Sequence, residues 1–170
     1  MMVLDSKNIN VLVVDDDEIN RQMATMILTK KLPYKVLTAD NGMRAIEIMA
    51  QYDINLVLLD INMPVWDGFK TLEVIRSEKR WKKIPVIMLT AAADLATVVR
   101  ANDFKVSDYV RKPFMPDDLA DRVAKVVWDN WNTQGIGGKT VAQPQGPRNI
   151  PQYEGETPFV KGSYYSDLFN

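Results

Sequence analysis

With 170 residues, 46% of them hydrophobic and 25% charged, the chain suits one globular domain with room for an appendage. Its net charge of -1 leaves no electrostatic footprint for nucleic acid or an anionic membrane surface. Cysteine and histidine are both absent, which excludes disulfides, thiol chemistry and the usual zinc ligands; a cysteine-free chain is compatible with the cytoplasm.

Met1 to Asn10 lacks a basic region followed by an apolar core, so no signal peptide is expected. No apolar run approaches the ~18 residues of a membrane span. Residues 10–14 read as a first strand. A helix follows from about Glu18 to Lys31, with Ile19, Met23, Met26 and Ile27 as its apolar stripe and a basic C-terminal end that suits the helix dipole. Pro33 stops it. Tyr34–Ala39 reads as a second strand, Asp40-Asn41-Gly42 as a turn, and Met43–Ala50 as a helix with Ala45, Ile46 and Met49 inward. Leu56–Asp60 is a third strand, followed by a helix over about Gly68–Glu78 with Phe69, Leu72 and Val74 or Ile75 inward. Val86–Thr90 is a fourth strand, Ala91–Ala101 a helix and Ser107–Val110 a short fifth strand. A last helix runs from about Pro116 to Trp131, its apolar face made by Leu119, Val123, Val126 and Val127. Five strand–helix alternations predict a parallel sheet covered by helices on both faces.

Two stretches suggest chemistry. Leu56 to Leu59 is a continuous apolar run, as expected of a strand buried on both faces, and it ends in Asp60. Val11 to Val14 is a second such run, ending in Asp15-Asp16-Asp17-Glu18. In an open parallel sheet, ligands bind outside the carboxyl ends of the strands. Each carboxylate taken alone could be a helix cap or strand terminator, and Asp67 is a plausible N-cap. Neighbouring strands would instead gather these carboxylates into one acidic pocket. Crowded like charges repel unless a cation sits among them, and a hard, oxygen-seeking ion such as Mg²⁺ suits that donor set.

Four fragments together resemble the response-regulator receiver domain, the phosphoacceptor half of two-component signalling. They are Val13-Val14-Asp15-Asp16, Leu58-Leu59-Asp60-Ile61-Asn62-Met63-Pro64-Val65-Trp66-Asp67-Gly68, Val86-Ile87-Met88-Leu89-Thr90-Ala91 and Asp108-Tyr109-Val110-Arg111-Lys112-Pro113-Phe114. The resemblance spans residues 8–131. It implies a flavodoxin-like, doubly wound five-stranded sheet in the order 2-1-3-4-5, the order of a chemotaxis receiver. It also implies that Asp60 accepts a phosphoryl group. Asp16, Asp60 and the Asn62 carbonyl would ligate Mg²⁺ directly, with Asp15 holding a metal-bound water. Lys112, aimed inward by a cis peptide bond to Pro113, would pair with Asp60 and later with a phosphoryl oxygen. The Thr90 hydroxyl and the Ala91 N–H would bind phosphoryl oxygens, and Thr90 and Tyr109 would form the switch. A surface lysine, a strand threonine and a half-buried strand tyrosine are the plain alternatives for the last groups.

The implied partners are a sensor histidine kinase or histidine phosphotransfer protein, an output protein meeting the fourth helix, fifth strand and fifth helix, and possibly a second copy. Neither nucleic acid nor membrane is expected. The chain departs from the family where a Gly-Ala pair is usual: it reads Asn102-Asp103-Phe104-Lys105-Val106-Ser107. Asn62 and Ala92, two residues beyond Asp60 and Thr90, carry no charge, so a moderate phosphoryl lifetime is expected. Two other readings stand beside the signalling one. An Asp-nucleophile phosphohydrolase would need a second Asp where Asn62 stands, and a non-phosphorylated receiver-like scaffold would not need the full residue set. The receiver is expected over residues 1–131. Residues 132–170 hold six of the eight Gly and four of the nine Pro, yet also Tyr153, Phe159, Tyr164, Tyr165 and Phe169. This extension reads as irregular chain whose aromatics dock on a folded surface, without a domain of its own.

Overall fold

In a computed structural model of the chain, residues 8–91 and 95–133 are described; the C-terminal extension from residue 134 lies outside them. The strands are β1 (Asn10–Val14), β2 (Lys35–Ala39), β3 (Leu56–Asp60), β4 (Val86–Thr90) and β5 (Asp108–Arg111). The helices are α1 (Glu18–Lys31), α2 (Gly42–Gln51), α3 (Gly68–Ser77), α4 (Leu95–Asp103) and α5 (Pro116–Thr133). All strands are parallel, in the order β2-β1-β3-β4-β5. Among the described residues no helix is long and apolar enough to cross a membrane.

Side chains alternate across a strand, so each central strand feeds two apolar layers. Leu12, Val14, Val57, Leu59 and Met88 face the layer closed by Ala45, Ile46 and Met49 of α2 and by Phe69, Leu72 and Ile75 of α3. Val11, Val13, Leu56, Leu58, Ile87 and Leu89 face the layer closed by Ala24, Ile27 and Leu28 of α1 and by Leu119, Val123 and Val127 of α5. Every residue of β3 and β4 is buried, as their uninterrupted apolar runs require.

The structure redraws α1. Its buried residues are Ala24, Ile27 and Leu28, whereas Ile19 is 71% and Met26 50% exposed. At roughly 100° per residue, Met26 lies on the opposite side of the helix from Ala24, and the small Ala24 lets α1 sit close to the sheet. Helix ends are set by side-chain caps. Asp17 accepts a hydrogen bond from the Asn20 amide, Asn41 from Arg44 and Asp67 from Lys70.

Two non-glycine residues have positive φ. Lys105 (53°) follows the end of α4, within the segment Asn102-Asp103-Phe104-Lys105-Val106-Ser107. Val65 (66°) lies between Pro64 and Trp66, whose amide donates to the Pro64 carbonyl at 2.8 Å and closes a three-residue turn. This turn is rare and strained, and a β-branched residue adds to the strain. The Val65 side chain is 94% exposed, so burial offsets none of it. Val65→Gly should raise the urea midpoint, adding about 1 kcal/mol after the greater freedom of glycine in the unfolded chain is deducted.

Candidate functional site

The site lies at the carboxyl ends of three strands. Val14 pairs with Leu59, so the next residues, Asp15 and Asp60, come side by side. The Asp15 amide donates to the Ala39 carbonyl at 3.1 Å, and its Oδ1 accepts from the Asp17 amide at 2.9 Å. Asp15 is fully buried, Asp60 is 3% exposed, and Asp16 stands in solvent at the rim. Ligand oxygens of the three carboxylates lie within 4.8 Å of one another. Asp17 caps α1, and it and Glu18 face solvent, outside this group.

Asp60 is held by its own loop. The Asn62 amide donates to Asp60 Oδ1 at 3.3 Å, the Ile61 amide to the Leu89 carbonyl at 3.1 Å and the Gly68 amide to the Ile61 carbonyl at 2.8 Å. The Asn62 side chain is exposed. Gly68 begins α3 against the strand tip: a Cβ there would lie 2.3 Å from the Asp60 carbonyl oxygen and 2.8 Å from Ile61 Cα. Glycine is required by this close approach of backbone.

Lys112 follows β5, and its bond to Pro113 is cis. Its amide donates to the Thr90 carbonyl at 2.8 Å. Its Nζ lies 2.6 Å from Asp15 Oδ2 and 3.1 Å from Asp60 Oδ1, with only 14% of the side chain exposed. The ammonium therefore bridges both buried carboxylates, where pairing with Asp60 alone was expected. Burial opposes the charged lysine, but its close contact with Asp15 and the charges of Asp60 and Asp15 outweigh it and raise its pKa. Thr90, 3% exposed, ends β4 beside Asp60, and Ala91 follows it at the surface.

Burial first, and then the charge of Asp15, push the Asp60 carboxyl up to about 6 against the opposing pull of Lys112 and the Asn62 amide. Folded Asp60 thus holds its proton more tightly than the unfolded residue, whose pKa is 3.8. Stability from this group is present at low pH and falls as pH rises through the window between those values. Asp60→Asn cannot ionise. Without metal it should therefore exceed the native protein by about 1–3 kcal/mol at pH 7, with the gap closing near pH 4 in paired urea titrations.

The residues fit a divalent cation. Asp15 Oδ2 is buried and meets the Lys112 ammonium as an ion pair, but it receives no well-angled hydrogen bond. Asp15, Asp16 and Asp60 offer carboxylate oxygens, suited to a hard ion.

The family profile of the response regulator receiver domain matches residues 11–124. The chain belongs to the response-regulator receiver family. This receiver is 38% identical over 118 residues to a probable transcriptional regulator of Cyanidium caldarium, covering 69% of the chain and 46% of that protein. It is 33% identical over 117 residues to the cell cycle response regulator CtrA of Brucella ovis, covering 69% of the chain and 49% of that protein. The chain thus spans about half the length of these relatives. Among solved structures it is similar to the chemotaxis protein CheY4 of Vibrio cholerae, with TM-score 0.67, 29% identity and coverage of 69% of this chain and 98% of that one. That likeness extends to the sheet order and the helices on both faces.

Tyr109 of this receiver pairs with Met88, two residues before the end of β4. It is half-buried, and its hydroxyl donates to Asn102 Oδ1 on α4 at 2.8 Å. Burial, with the nearby charge of Asp108, raises its pKa. Phe104, in the departing segment, packs its ring 6.5 Å from that of Phe69, and the Arg100 guanidinium lies 4.1 Å from the centre of the Phe69 ring. Sequence reasoning passed over Arg76, which donates to the carbonyls of Phe104 and Ile84 at 2.8 Å each and braces the approach to β5. It also passed over Arg21, which reaches back to the carbonyl of Asp15. Carbonyl partners leave no charge pattern by which to anticipate either.

Proposed function

We propose that this receiver is a phosphoacceptor that takes a phosphoryl group from the phosphohistidine of another protein onto Asp60 and then changes its protein contacts. The observation that carries the reading is the grouping of Asp15, Asp16 and Asp60 with the Lys112 ammonium set between the two buried carboxylates. These 170 residues hold no histidine, so the donor phosphohistidine lies outside them, on a sensor histidine kinase or a histidine phosphotransfer protein. An Asp60 carboxylate oxygen attacks phosphorus; the P–O bond forms as the P–N bond breaks, and the electron pair returns to the imidazole nitrogen. The Lys112 ammonium, the Thr90 hydroxyl and the Ala91 N–H donate hydrogen bonds to the phosphoryl oxygens. Asp15, Asp16, Asp60 and the Asn62 carbonyl would hold Mg²⁺. When bound, the ion neutralises negative charge at the pocket and on the phosphoryl oxygens.

Movement of Thr90 toward the phosphoryl group draws Tyr109 inward, which changes the face made by α4, β5 and α5. An output protein or a second copy meets that face, in the cytoplasm. Residues 1–131 form the receiver, with α5 running on to Thr133, and residues 132–170 an extension without its own domain. The hydrolase alternative is disfavoured because Asn62 stands where such an enzyme needs an acidic side chain, and receivers are generally signalling domains that do not turn over a substrate. Acetyl phosphate with Mg²⁺ should add one phosphoryl group per chain, read by intact mass, and none to Asp60→Asn. Multiple turnovers of substrate without a labelled intermediate would replace the phosphoacceptor reading with the hydrolase.

A further inference from the structure

The Arg21 guanidinium lies close in sequence to four consecutive carboxylates, Asp15 to Glu18, yet among the described residues it forms no ion pair with any of them. It turns instead to backbone: Nη1 donates to the Asp15 carbonyl at 2.8 Å and approaches the Asp16 carbonyl at 3.4 Å. Those two carbonyls precede α1 and are not taken by its hydrogen-bond ladder, whose first acceptor here is the Asp17 carbonyl. Asp16 is the exposed member of the acidic group, and no hydrogen bond from a described residue fixes its carboxylate. The place from which it projects is therefore set by its backbone. That backbone is fixed on one side by the Asp15 amide on Ala39 and by the Asp17 amide on Asp15 Oδ1, and on the other by Arg21.

We propose that Arg21 is a positioning residue for the cation site: its guanidinium fixes the Asp15–Asp16 backbone so that the Asp16 carboxylate is presented to the ion. This rests on the reading of Asp15, Asp16 and Asp60 as a Mg²⁺ pocket. Two effects of Arg21 have opposite signs, which makes the inference testable. A positive charge close to the pocket repels a cation, so removing it would tighten binding if charge alone mattered. Loss of a group that orients a ligand weakens binding, typically by about 10–100-fold.

Mg²⁺ is titrated into the full chain by calorimetry for the native protein, Arg21→Met and Arg21→Gln, with urea midpoints measured without metal. Arg21→Met, which keeps the bulk and loses every donor, should bind Mg²⁺ about tenfold more weakly. Arg21→Gln retains a neutral N–H donor and should fall between the two; it carries the test alone if Arg21→Met does not fold. Labelling by acetyl phosphate should slow in both variants at low Mg²⁺ and recover at saturating Mg²⁺. A purely structural role would lower the urea midpoint and leave the Mg²⁺ affinity unchanged. Variant affinities equal to or tighter than native overturn the positioning role and leave the pocket reading intact. A native chain that binds no Mg²⁺ overturns the pocket reading itself.

Discussion

Lys112→Met should cost the metal-free protein about 2–4 kcal/mol at pH 7, because it removes the one cation paired with two buried carboxylates. The penalty has a ceiling set by protonation. Asp60 already titrates near 6, and loss of the lysine, which lowers that value, drives it further up until the group takes a proton instead of remaining charged. The deficit should therefore shrink as pH falls toward 4, where native and variant Asp60 are both largely neutral. The raised pKa of Lys112 means that the native stabilisation is fully present below the ordinary lysine value of 10.5 and is lost only when the folded ammonium deprotonates, so pH 7 samples all of it. Added Mg²⁺ should narrow the gap by replacing the missing positive charge. Urea titrations at pH 4 and pH 7, with and without Mg²⁺, check all three statements. Labelling of Asp60 by acetyl phosphate should fall at least about tenfold, since a charge aimed at the transferring group is lost.

Gly68→Ala carries the second large effect, and its sign opposes helix propensity. Alanine in place of glycine within a helix ordinarily gains about 1 kcal/mol. At Gly68 the new methyl would press on the Asp60 carbonyl oxygen and Ile61 Cα, which are backbone atoms of the strand tip that cannot swing aside as a side chain would. Net destabilisation of about 1–3 kcal/mol is expected in urea titration. The same displacement moves Asp60, so Mg²⁺ affinity and phosphoryl uptake should fall together with stability. A stabilised Gly68→Ala protein with native Mg²⁺ affinity would mean that the strand tip has more room than its geometry allows.

Much of the fold was legible because β3 and β4 are buried on both faces, which permits only apolar side chains along Leu56–Leu59 and Val86–Leu89. The carboxylates that end β1 and β3 could be placed together once those strands were taken as neighbours, and the geometry brings Asp15, Asp16, Asp60 and Lys112 to one rim. The side of α1 that faces the sheet was read less well. Ile19 and Met26 looked like core because they are large and apolar, while the helix turns on the small Ala24. Gly68 gave no hint of why it must be glycine, since its constraint is a contact with Asp60 eight residues earlier. The strain at Val65 was equally hidden, because it arises from backbone geometry in an exposed loop.

The place of β1 has a consequence for biosynthesis. Of the five strands this one leaves the ribosome first, yet both of its edges are covered only after residues 35–39 and 56–59 have followed it. Until then Val11-Leu12-Val13-Val14 presents open hydrogen-bonding edges and wholly apolar faces, a template for pairing between nascent chains. Aggregation during synthesis should therefore be most sensitive to what delays β3, the partner whose arrival closes the last open edge of the sheet's oldest strand.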